Sequence, residues 1–148
     1  HVLDVGSRFT LGGFELEFLA VTHSIPEPTA LLIETKSARV VHSGDWKIDP
    51  DPLLGELTDE ARLKQIGEEG ALAMVCDSTN VFVDGEAGSE ATVRANLEKV
   101  VRARKNRIAV TCFASNLARV ESIGWVLPII VMVFIGFALF GPGPQFST

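Results

Sequence analysis

A chain of 148 residues with 47% hydrophobic content can build one ordinary buried core, which excludes a disordered tail. Its formal charge of −6 excludes broad electrostatic binding to nucleic acid, which needs a surplus of Lys and Arg, so any such contact has to be local. Two cysteines, Cys76 and Cys112, close apolar runs (ALAMVC and IAVTC) and are expected as small buried structural thiols without a disulfide.

The chain opens on His1, with no charged segment leading into an apolar stretch and a small-residue cleavage site, as expected of an internal start. From Phe9 to Val21, apolar and polar residues alternate around Gly12 and Gly13, which predicts two short strands joined by a tight turn. After the loop THSIPEPT, the pattern repeats. Ala30 to Glu34 and Arg39 to His42 are predicted as strands flanking a polar turn at Thr35 to Ala38.

Pro50 and Pro52 break the chain, and Thr58 to Ile66 is predicted as a helix that Gly67 ends. Ala71 to Cys76 reads as a short strand buried on both faces, as in a parallel sheet. Ser89 caps a predicted helix reaching about Lys105, with Val93, Leu97, Val100 and Val101 on its apolar face. Its other face carries Arg94, Lys99, Arg102, Arg104 and Lys105, with Arg107 just beyond, a positive cluster read as solvated helix surface. Ile108 to Cys112 is predicted as another strand, followed by a helix that Ser115 or Asn116 caps and that runs through Ile123. Strand and helix alternate in this half, which is α/β order.

Two short constellations carry chemistry: His23 in THSIPE and Asp45 in HSGDWK, each where a predicted strand ends and a loop begins. A neutral imidazole and a carboxylate are ordinary ligands of zinc or manganese, and one carboxylate can bridge two ions. The same two residues a hairpin apart also occur in proteins that bind no metal. Asp77, at the end of a strand, suits either proton positioning or a turn cap. Phe113, Ala114 and Ser115 lie at a strand-to-helix turn whose free N–H groups suit either a phosphate or a simple cap. There is no GxSxG motif and no Cys–His pair that would serve a protein nucleophile.

From His1 to about Ser122 the order THSIPE, HSGDWKID, GEEG, DSTN and TCFASNLAR resembles the ribonuclease J family. The resemblance implies a partial metallo-beta-lactamase αββα sandwich over residues 1–76, followed by the start of a beta-CASP α/β domain over 77–123. It implies that His23 is a metal ligand, that Asp45 bridges two divalent ions (zinc first, manganese second), and that Asp77 is the first acid of the beta-CASP module. It makes Phe113, Ala114 and Ser115 a substrate contact and gives His42 no ligand role. The implied chemistry is cytoplasmic phosphodiester hydrolysis of RNA, in which two ions activate a water and stabilise the scissile phosphate, by an enzyme expected to be a homo-oligomer.

The family's HxHxDH motif, its later His ligands and its Gly-His segment are absent from these 148 residues, so the chain alone is expected to be inactive. Past Ile123 the resemblance stops. The run of 16 residues from Trp125 to Phe140 contains no charge and falls short of the roughly 20 that a membrane span needs. A chimeric join or frame error, a buried helix and a membrane anchor remain open for this segment, with a non-catalytic membrane-attached protein as the corresponding alternative function. Another metallo-beta-lactamase-fold hydrolase acting on a small ester is the alternative enzyme, against which DSTN and TCFASN weigh.

Overall fold

The structure, a computed structural model, describes residues 1–126. Strands β1 (Arg8–Leu11) and β2 (Phe14–Ala20) form the first hairpin. Its turn places Gly12 at φ +61°, in the left-handed region that a two-residue turn favours and that glycine enters without steric cost. β3 (Thr29–Glu34) and β4 (Arg39–His42) form the second hairpin, closed by the Thr35 N–H donating to the Ala38 carbonyl at 2.8 Å. Helix α1 (Glu60–Glu69) then crosses over, and β5 (Ala73–Val75) pairs parallel to β4. The result is one five-stranded sheet in the order β1-β2-β3-β4-β5, followed by α2 (Glu90–Arg102) and α3 (Leu117–Val126).

One face of the sheet buries Leu19, Val21, Ala30, Leu32 and Val41 under Ile66 of α1, with Leu63 and Trp46 packed at the margin. Because side chains alternate along a strand, the same face also carries Glu17. That carboxylate is satisfied by Arg62 of α1, whose Nε and Nη2 donate to it at 2.9 and 2.8 Å, and by Arg8 at 2.7 Å. The Arg62 hydrogen bonds lower the Glu17 pKa below its ordinary value against the opposing effect of burial. Ile66 is the plug of this core at 2% exposure, so Ile66→Val is expected to cost about 1 kcal/mol in chemical denaturation, with the fold retained.

Several expectations are corrected. α1 runs through Gly67 and ends at Gly70, whose N–H donates to the Ile66 carbonyl and whose φ is +88°. β5 is exposed along its whole length, since it is the last strand of the sheet and nothing among the described residues covers it. Residues 108–112 form no strand and pair with neither open edge of the sheet, β1 or β5. Cys76 is exposed and Cys112 half-buried, so neither is a core thiol, although both are free as expected. Part of the basic face of α2 is paired: Arg94 meets Glu121 at 3.0 Å and Arg102 meets Glu98 at 2.7 Å.

The described residues thus form a mixed α/β unit with a single sheet layer. No helix among them is long and apolar enough to cross a membrane, and most of the apolar run from Trp125 to Phe140 lies outside the described residues.

Candidate functional site

β2, β4 and β5 point the same way, because β3 is antiparallel to both β2 and β4 while β5 is parallel to β4. Their carboxyl ends therefore share one edge of the sheet, the usual place for a ligand site in an α/β layer. His23 follows β2, Asp45 follows β4 and Asp77 follows β5. Backbone bonds fix these exits against one another. A bridge pairs Thr22 with Lys47, the Lys47 N–H donating to the Thr22 carbonyl at 2.9 Å. His23 and Asp45 are thereby held within two residues of one shared contact.

The β4 and β5 exits are tied just as closely. The Ser43 N–H donates to the Val75 carbonyl at 2.9 Å, and the Asp77 N–H donates to the Ser43 hydroxyl at 3.0 Å. Trp46 Nε1 reaches across to Cys76 Sγ at 3.2 Å and to the Asp77 carbonyl at 3.3 Å. The Asp77 carboxylate accepts from the Thr79 N–H at 3.0 Å and from its hydroxyl, which makes it the cap of the DSTN turn. Those Thr79 hydrogen bonds lower its pKa, and the His23 imidazole adds a smaller pull in the same direction. Asp77 therefore stays ionised and within the electrostatic reach of His23.

The fourth expected element arrives from α3. Asn116 caps that helix by accepting the Arg119 N–H at 2.9 Å, and the Asn116 N–H closes the preceding turn on the Phe113 carbonyl at 3.0 Å. The Ala118 N–H then donates to the Ser24 carbonyl at 3.3 Å, seating the start of α3 on the loop that carries His23. Phe113, Ala114 and Ser115 all lie exposed in the segment leading into this contact. Asp45 is also exposed, and His23 is half-buried with Nδ1 facing the Ser24 hydroxyl at 3.4 Å. His42 ends β4 and its Nδ1 accepts the Gly44 N–H at 3.1 Å, in keeping with a hairpin role.

Below this edge lies a charged cluster that reading the sequence did not single out. Lys47 Nζ sits 3.0 Å from the Asp49 carboxylate and 3.1 Å from Glu90, while Arg119 lies 3.3 Å from the other Glu90 oxygen. The side chain of Asp49 is fully buried. Desolvation alone would raise its pKa, but N–H groups of Glu90 and Asp51, together with Lys47 and Ser89, outweigh burial and bring it to about 2. The available signal was the alternation WKID, which sends Lys47 and Asp49 inward while Ile48 stays exposed.

An imidazole and a carboxylate at one edge are the right donor types for zinc or manganese. Among the described residues, however, no three His, Cys, Asp or Glu side chains are grouped to hold an ion, so these residues do not themselves complete a metal centre.

Curated relatives are similar to this chain over about three quarters or more of its length, among them the three that follow. Residues of this chain are 51% identical over 118 positions to a ribonuclease J from Sinorhizobium meliloti, 80% of this chain and 21% of that protein. The resemblance is to ribonuclease J. A ribonuclease J from Corynebacterium glutamicum is 43% identical over 111 residues, covering 75% of this chain and 16% of the relative. One from Thermus thermophilus is 37% identical over 123 residues, 83% of this chain and 21% of the relative. The chain thus spans about a fifth of the length of the ribonucleases J it matches. No protein-family model matches it. Among solved structures, a protein of unknown function from Enterococcus faecalis V583 superposes with a TM-score of 0.58 at 16% identity. That match covers 84% of this chain and 29% of the other, and it speaks for the fold alone.

Proposed function

We infer that the chain is part of a ribonuclease J-like enzyme that hydrolyses RNA phosphodiester bonds with divalent metal ions. One observation carries this reading: the exits of β2, β4 and β5 and the turn before α3 meet at one sheet edge, bringing together the segments of His23, Asp45, Asp77 and residues 113–115. In this reading residues 1–76 belong to a metallo-beta-lactamase domain and 77–123 open a beta-CASP domain. His23 and Asp45 are metal donors, Asp45 being the bridging group. Asp77 adds a fixed negative charge beside them, and the segment 113–115 meets an RNA phosphate. In this reading the remaining donors belong to the family's HxHxDH and later His segments, which these 148 residues lack, and the full-length enzyme is a homo-oligomer.

Zinc is the first metal expected and manganese the second. Two protein ligands fall short of the three that a catalytic zinc ordinarily has, so the 148-residue chain is expected to bind zinc weakly and to leave RNA uncut. In an NMR zinc titration, His23 and Asp45 signals should move together along one isotherm. Asp45→Asn should weaken that isotherm about tenfold, the scale seen when a group supporting a metal site is removed. Movement of His23 with Asp45 silent would overturn the assignment, and two tight sites by calorimetry would show a donor set larger than the one described.

A further inference from the structure

We propose that Glu90 is a positioning residue that locks the loop carrying Asp45 to the turn carrying Phe113–Ser115. This rests on the functional reading above only in what the two segments are for; the lock itself is a matter of geometry.

The contacts form a closed circuit. Thr22 is bridged to Lys47, Lys47 Nζ meets one Glu90 oxygen at 3.1 Å, and the other Glu90 oxygen meets Arg119 at 3.3 Å. Arg119 follows Ala118, whose N–H returns to the Ser24 carbonyl beside His23. Every segment assigned to the site except that of Asp77 therefore lies on one ring, and a single carboxylate spans the gap between its β4 and α3 sides. Glu90 is itself placed with little freedom. Its N–H donates to the buried Asp49 carboxylate at 3.0 Å, and the neighbouring Ser89 hydroxyl donates to the Asp51 carbonyl at 2.7 Å while capping α2. Its side chain is 9% exposed, so neither cation is exchanged for water at low cost.

A helix-capping role for Glu90 would be local, confined to the first turn of α2. A lock makes a longer-range statement: cutting either arm should loosen the far segment. Hydrogen–deuterium exchange followed by NMR on the whole chain separates the two. In Glu90→Gln, the Lys47 amide and the Ala118 and Arg119 amides should all exchange about tenfold faster, the scale for losing a charge-assisted bond, while those of β2 and β3 keep their rates. Lys47→Met, which also strips the cation from buried Asp49, should speed the Ala118 amide beyond any effect it has on β2 and β3, and that excess should vanish in the Glu90→Gln background. Lys47→Arg, which keeps the charge, should restore the rate.

Faster exchange restricted to the first turn of α2 would overturn the lock, and so would a uniform increase across the chain. A second probe keeps the functional reading separate. A five-nucleotide oligoribonucleotide is expected to shift the Phe113–Ser115 amides in the wild type and to shift them less than half as far in Glu90→Gln. No shift in the wild type would count against the RNA contact at this turn, leaving the exchange rates to decide the lock by themselves.

Discussion

Asp49→Ala is expected to lower stability by about 3–5 kcal/mol at neutral pH, the range for removing one partner of a buried charge network. The carboxylate is fully buried and holds three things at once: Lys47 Nζ at 3.0 Å, the Glu90 N–H at 3.0 Å and the Asp51 N–H at 2.9 Å. Its loss leaves a half-buried ammonium with Glu90 alone, and it leaves two N–H groups without their acceptor. Urea denaturation of the two chains gives the difference directly. The pH dependence has a definite sign. Because the folded-state pKa is lowered from 3.8 to about 2, the contribution is fully present above about pH 4 and is lost as pH falls toward 2. The gap between wild type and Asp49→Ala should therefore be constant from pH 7 to about 5 and narrow below about 4. A gap that stayed constant down to pH 2 would mean that Asp49 acts through shape rather than charge.

Local rules made the hairpins legible. Gly12 and Gly13 between alternating segments specify a tight turn, and the observed β1 and β2 follow that alternation to within a residue or two. The cap Ser89 was equally readable, because an N-cap is chosen by the few residues around it, and for α3 the sequence narrowed the cap to Ser115 or Asn116, of which Asn116 accepts the Arg119 N–H. Burial was less legible, since it depends on what arrives from elsewhere in the chain. The run at 71–76 has the composition of a strand covered on both sides, yet β5 stands at an open edge. The run at 108–112 has a similar composition and forms no strand, for a strand exists only where a partner does. Gly67 looked like a helix end because glycine often is one, but the left-handed conformation that ends α1 falls to Gly70.

The same division runs through the site. His23 and Asp45 could be read as strand-end residues, and the family resemblance supplied their proposed roles. The loops that carry them are joined by the Thr22–Lys47 bridge, which no local pattern announces. Lys47, Asp49, Glu90 and Arg119 were harder still, because charged residues on a helix or in a loop are usually solvated. Only the tertiary contact between the β4 exit and the start of α2 turns them into a buried network. Ser89 was read as a cap and Glu90 as its neighbour; the second role of Glu90 depends on where α3 lies.

Gly44→Ala tests whether the Asp45 loop has any freedom to spare. Gly44 sits at φ +60°, and a Cβ built on it would come within 3.0 Å of the Thr29 carbonyl oxygen. That oxygen belongs to β3, where Thr29 is paired with Ala20, so it cannot withdraw without disturbing the ladder. The left-handed backbone adds its own penalty for a residue with a side chain, and together these should cost about 1–3 kcal/mol. The strain would be relieved most readily in the exposed loop, which swings Asp45 away from His23 and breaks the Gly44 N–H bond to His42 Nδ1. In the zinc titration, Gly44→Ala is therefore expected to uncouple the two signals, with His23 still responding and Asp45 following weakly. Gly67→Ala is the matched control: it lies within α1, a Cβ there meets nothing within 4 Å, and the exchange should stabilise the chain by roughly 0.5–1 kcal/mol with the titration unchanged. If both alanines left the joint His23–Asp45 response intact, the left-handed turn at Gly44 would not be what aims the carboxylate, and the Thr22–Lys47 bridge would be sufficient to do so.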